Sequence, residues 1–202
     1  MDWELCSQHL ISGYIPVSIA LILYYVIVRV FKKKHRVGHI FITYVFAFYL
    51  VGILTMTGIW YRQSFSPKIV YIPFIDMIRG PIDTVLNVFL FIPLGLFLPL
   101  LYYKFDKVGK VLLAGFLISL SVEIIQMFGC GATDINDLIT NTVGACAGYG
   151  IYKVICKNLP EKWRKAFGIE GKECFIELSL LWVGTVTLML IVQPQIYRAL
   201  FK

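Results

Sequence analysis

Charge is what this chain has least of. Asp, Glu, Lys and Arg make up only 15% of its 202 residues and 58% are hydrophobic, where a soluble domain carries about 25% charged residues. No polar stretch is long enough to form a separate soluble domain, which excludes an extramembrane catalytic or nucleic-acid-binding module. The five cysteines (Cys6, Cys130, Cys146, Cys156, Cys174) contain no CxxC pair. Their odd number and scatter argue against a disulfide framework and favour small buried hydrophobes, with Cys6–Cys130 the one pairing that topology allows. The three histidines (His9, His35, His39) show no metal-ligand spacing, so neither metal nor cofactor is expected. Ser/His/Asp and Cys/His nucleophile sets are missing too. The N-terminus carries Asp2 and Glu4 instead of a basic region, so the first apolar segment reads as a retained anchor and not as a cleaved signal.

What is present is apolar sequence in long runs. Six of them, at about 10–31, 39–60, 84–103, 108–129, 137–156 and 175–194, have the length and composition of membrane helices. The expected fold is therefore all-α, a polytopic helical bundle forming one membrane domain over 1–202. Fourteen of the nineteen basic residues fall in the first, third and fifth connectors. Arg62, Lys68, Arg79, Arg198 and Lys202 fall on the other side. Basic loops stay cytoplasmic, which places both termini outside a plasma membrane. The net charge of +7 thus follows from topology and anionic inner-leaflet lipid, not from a nucleic-acid partner. The connector at 61–83, YRQSFSPKIVYIPFIDMIRGPID, is too apolar for a solvated loop and is broken by Pro67, Pro73 and Gly80-Pro81. It reads as a short interfacial or re-entrant segment.

The stretch VEIIQMFGCGATDINDLITNTVG (122–144) breaks the apolar pattern. Glu123 and Gln126 fall near the outer end of the fourth span, Asp134 in the connector, Asp137 and Asn141 at the start of the fifth, and Asp83 and Asn87 at the start of the third. All sit on the same side, within about two helical turns of the surface. The pairs Asp83/Asn87 and Asp137/Asn141 are spaced i, i+4 and Glu123/Gln126 i, i+3, so each pair shares a helix face. Gly144 and Gly148 continue the stripe at GxxxG spacing, which allows close backbone approach. Pro93 kinks the third span, and a kink there would widen a pocket. An acid facing lipid costs a few kcal/mol, so Glu123 turns inward towards a partner; Arg79 is the best-placed cation. Crowded carboxylates share protons or recruit a cation. A structural reading stands beside this one. Asp134 in TDIND is a good helix cap, and Asn87, Gln126 and Asn141 serve equally as interhelical hydrogen-bonding groups.

The motifs YIPF (71–74), NVFLFIPLG (87–95), SVEIIQ (121–126) and GATDINDLITNTVG (131–144) resemble, in order and spacing, the VanZ family of bacterial membrane proteins. The resemblance covers about 71–150. Gly131 stands where many relatives have an arginine, which removes one cation. The resemblance implies a Gram-positive plasma-membrane location, a cell-envelope role and low-level resistance to the lipoglycopeptide teicoplanin. It supplies motif positions, namely Asn87, Pro93, Glu123, Gln126, Asp134, Asp137, Asn141 and Gly144, but no mechanism.

Three functions fit. In the first, an outward acidic pocket formed by Arg79, Asp83, Asn87, Glu123, Gln126, Asp134, Asp137 and Asn141 engages teicoplanin or a lipid-linked cell-wall intermediate beside membrane lipid. In the second, Glu123 and Asp137 are the acid/base pair of a membrane enzyme acting on an envelope lipid or glycan, with a divalent cation held by Asp134 and Asp137 as a variant. The third is a lipid or small-molecule transporter, which the one-sided polar cluster disfavours because a route needs polar groups at midplane.

Overall fold

Long apolar runs become long helices because lipid offers the backbone no hydrogen bonds and the helix satisfies its own. The computed structural model describes residues 3–31, 35–59, 69–70, 80–128 and 133–201. Among these are eight helices: α1 (Trp3–Val30), α2 (Val37–Met56), α3 (Pro81–Leu101), α4 (Val108–Gln126), α5 (Ile135–Asn158), α6 (Glu161–Phe167), α7 (Glu173–Ile191) and α8 (Gln193–Phe201). The all-α reading holds. α1, α2, α3, α4 and α7 are each long and apolar enough to cross a membrane. The span expected at 137–156 is α5, long enough at 24 residues but lowered in hydropathy by Asn136, Asp137, Asn141 and its glycines.

The helix ends follow local chemistry. α2 stops at Gly58, whose φ of +73° is open to glycine and strained for other residues. There Gly58 N donates to Thr55 O and Ile59 N to Leu54 O, the paired bonds of a Schellman motif. α3 starts on Pro81, where a missing N–H costs nothing, and continues through Pro93 and Pro99. α5 is capped as its sequence suggests: Asp134, in extended backbone, accepts Asn136 N at 2.8 Å.

The helices pack as two compact units. One comprises residues 1–61 with 171–202. Here α1 lies against α2, α7 and α8, and α2 against α7. Gln193, fully buried at the start of α8, brings its amide nitrogen to His9 Nδ1 (2.7 Å) and Ser12 Oγ (2.9 Å) on α1.

The other unit comprises residues 62–170. Its centre is α5, packed on α3 and α4. A Cβ on Gly148 would overlap the carbonyl oxygen of Ile92, one on Gly144 that of Val88, and one on Gly95 that of Ala145. The GxxxG stripe therefore faces α3, backbone to backbone. Phe91, Leu94, Leu98, Val111, Val122 and Ala145 are buried around it. At one end Tyr149 Oη and Lys153 Nζ both bond Asp106 Oδ1. At the other, β1 (Ile69–Val70) pairs in parallel with β2 (Thr133–Asp134), Ile69 opposite Thr133 and Val70 opposite Asp134. Large apolar side chains such as Phe89, Leu113, Leu117 and Val154 are exposed, as lipid-facing surfaces require.

Candidate functional site

Three helix ends build the polar cluster of the second unit. α4 turns Glu123 inward, where it is only 3% exposed. Its Oε2 accepts the backbone N–H of Asp134 at 2.9 Å, and its carbonyl accepts Thr133 Oγ1 at 3.1 Å. The chain leaving β2 is thus held on the C-terminal turn of α4. Asp134 in turn caps α5, taking both the backbone N and the Nδ2 of Asn136 on one oxygen, each at 2.8 Å.

One turn into α5, Asp137 Oδ1 accepts Asn87 Nδ2 from α3 at 2.6 Å. A turn deeper, buried Asn141 donates to buried Ser119 Oγ of α4 at 2.9 Å, while Asn141 Oδ1 finds no partner among the described residues. Both α3 and α4 are therefore tied to α5, or to the chain entering it, by polar side chains.

The carboxylates act on one another. Glu123 feels the charges of Asp137 and Asp134, and Asp137 those of Asp134 and Asp83. Among the described residues none of these acids forms an ion pair with a Lys, Arg or His. Like charges gathered this closely favour a bound cation, a bound proton or a cationic or hydrogen-bond-donating ligand. Carboxylate, amide and hydroxyl oxygens on fixed helix ends suit such a ligand.

The sequence-derived set divides accordingly. Asn87, Glu123, Asp134 and Asp137 come together, Asn141 lies immediately beneath, and Gln126 is half-buried one turn beyond Glu123. Asp83 reaches Asp137 through charge alone and is itself exposed. Arg79, the expected cation, lies outside the described residues. So does most of the 61–83 segment, of which only 69–70 and 80–83 are described. Ser119, Thr133 and Asn136 were not singled out from sequence. Ser119 carries a signal, since it precedes Glu123 by four residues and so shares its face.

The histidines need a correction. His35 and His39, read from sequence as lacking ligand spacing, converge with Glu177 of α7, His39 from the first turn of α2 and His35 from the chain two residues before that helix. That acid is 138 residues from His39, a separation no local pattern reveals.

Comparison with known proteins supports the motif resemblance. The chain is 44% identical over 79 residues to Protein VanZ of Enterococcus faecium, a stretch covering 38% of this chain and 47% of that protein. The match thus spans about half the length of the curated relative. No solved structure matches the chain. The VanZ/LLP1 family profile matches residues 14–156, and with most of its length inside that match the chain belongs to the VanZ/LLP1 family.

Proposed function

We propose that this chain is a plasma-membrane protein of the Gram-positive envelope that supports low-level resistance to teicoplanin, through an outward acidic pocket that engages the drug or a lipid-linked envelope intermediate. The link to teicoplanin comes from the resemblance to the VanZ family. The observation that carries the pocket is the gathering of Glu123, Asp134 and Asp137 with Asn87 at one end of α3, α4 and α5. Glu123 is about 22 Å along α4 from Val108, so this end lies opposite Asp106 and Lys153. Lysines crowd the Lys153 end, and the basic-inside tendency supports an outward position for the acids; the basic connector at 29–36 separately supports extracytoplasmic termini. A lipoglycopeptide anchored in the outer leaflet by its acyl chain would meet this face first. Cationic or hydrogen-bond-donating groups on such a ligand are the chemistry that carboxylates bind.

The test is teicoplanin susceptibility in a sensitive Gram-positive host carrying empty vector, this protein, or its Glu123→Gln or Asp137→Asn variant, with membrane abundance matched by immunoblot. Protection by the wild type and its loss in equally abundant variants is expected. Equal protection by both variants would reduce the cluster to a packing device. Protection accompanied by altered envelope lipids or muropeptides, abolished in the same variants, would transfer the pair to acid/base catalysis.

A further inference from the structure

Glu177 is a carboxylate in an apolar bundle, only 3% exposed, and three side chains meet it. His39 Nε2 lies 2.8 Å from Oε1, His35 Nε2 3.3 Å from Oε2, and Tyr24 Oη donates to Oε2 at 3.1 Å. The His39 side chain is 1% exposed and that of His35 9%. The two imidazoles stack, centroids 5.2 Å apart, so their Nε2 atoms present to the same carboxylate. All these residues belong to the first unit.

We propose that His35, His39 and Glu177 bind a divalent transition-metal ion of the zinc type. Two imidazoles and one carboxylate are a borderline donor set suited to zinc. One ligand atom from each residue lies within 4.8 Å of the others. Metal bonds of about 2.0–2.1 Å set tetrahedral ligand atoms about 3.3 Å apart. The two imidazoles now meet different oxygens of the carboxylate, His35 at Oε2 (3.3 Å) and His39 at Oε1 (2.8 Å), so an ion would draw the three donors, now within 4.8 Å of one another, together by rotation of the Glu177 carboxylate and the two rings. Zinc would sit between the two Nε2 atoms and the carboxylate, each ring neutral with its proton on Nδ1, and the ion's charge would offset that of the buried acid.

Tyr24 holds the carboxylate from outside, as orienting hydrogen bonds do around metal ligands. Three protein ligands leave a fourth position for water or another oxygen donor. Glu177 and Tyr24 also line a cavity of about 200 Å³ walled by Val17, Leu21, Leu181 and Leu188, so the site borders space in which that donor can sit. Glu177 falls beyond the family match at 14–156, and the site is independent of the teicoplanin reading.

The experiment uses the full chain in detergent with a tag that contains no histidine, stripped with a chelator. Zinc is titrated in competition with a chromophoric chelator, and cobalt is added in parallel. About one zinc per chain is expected, with cobalt giving the intense visible bands of four-coordinate geometry. His39→Gln and Glu177→Gln should each weaken binding at least about tenfold, whereas His9→Gln should leave it unchanged. An absence of saturable zinc uptake overturns the proposal, as does binding that H39Q and E177Q leave intact. The wild-type cobalt spectrum needs no variant to fold. A weak six-coordinate spectrum would mean adventitious surface binding and a cluster held by hydrogen bonds alone.

Discussion

Replacing Gly148 with alanine adds one methyl carbon where α5 meets the backbone of α3. Besides overlapping the carbonyl oxygen of Ile92, that carbon would stand 2.9 Å from the Ile92 carbonyl carbon and 3.0 Å from Gly95 Cα. Carbon atoms rest about 3.5–4.0 Å apart and the Ile92 oxygen lies closer still, so α3 and α5 would have to separate by about 1 Å or more. Overpacking of this kind costs about 1–3 kcal/mol. The obstructing atoms here are backbone and cannot rotate away, which puts Gly148 near the upper end, about 2–3 kcal/mol.

Gly150 supplies the control, because it lies on the same helix and a Cβ there meets nothing within 4 Å. Both changes gain the same relief of about 0.5–1 kcal/mol from removing a helical glycine, so their difference isolates the contact. At about 2–4 °C per kcal/mol for a chain of this length, G148A should melt about 4–12 °C below G150A. The assay is a thermal scan in one detergent at one scan rate, read by retention of the monodisperse peak. Melting of the two variants within about a degree would refute the α3–α5 packing.

The polar ties make further predictions. Asn87→Asp sets another carboxylate against Asp137 and should lower the melting temperature at neutral pH more than Asn87→Ala, which loses a hydrogen bond worth about 1.5–3 kcal/mol to a charged acceptor; an N87D variant at least as stable as N87A would mean that the amide does not face Asp137. A double-mutant cycle on Ser119→Ala and Asn141→Ala should return a coupling of about 0.5–1.5 kcal/mol, the range for interhelical hydrogen bonds in membranes, and additive single changes would remove that bond from the account. Lys153→Ala should shift melting by less than about 4 °C, since its Asp106 pair is 50% and 25% exposed and such pairs contribute about 1 kcal/mol or less; a larger loss would show the pair to be shielded from water.

Local patterns explain what could be read in advance. Asp134 announced its capping role because a cap depends on the next few residues alone. Gly144 and Gly148 announced a close helix contact through their spacing, although which helix they meet is a matter of tertiary packing. The convergence of Glu123, Asp137 and Asn87 followed from placing helix ends by charge and phase. Ser119 escaped notice although its spacing of four from Glu123 marks the same face, because a serine in an apolar run is common and its partner Asn141 lies on another helix. His35, His39 and Glu177 escaped it because their meeting depends on α2 and α7 lying side by side. Asp83 shares a face with Asn87 by count and reaches Asp137 by charge, while at the first turn of α3 its side chain is exposed.

The position of α5 bears on how the protein enters its membrane. By composition α5 is the long helix that lipid would accept least readily, and yet α3 and α4 are arranged around it. Glu123 of α4 and Asn87 of α3 satisfy groups at its start, and its glycines leave no side chain to shield their backbone unless α3 is already there. Its insertion is therefore a joint event. Holding α3 and α4 together until α5 emerges would satisfy these groups, and a mutation that disrupts either neighbour's contact should leave α5 open to proteases that act on unassembled segments.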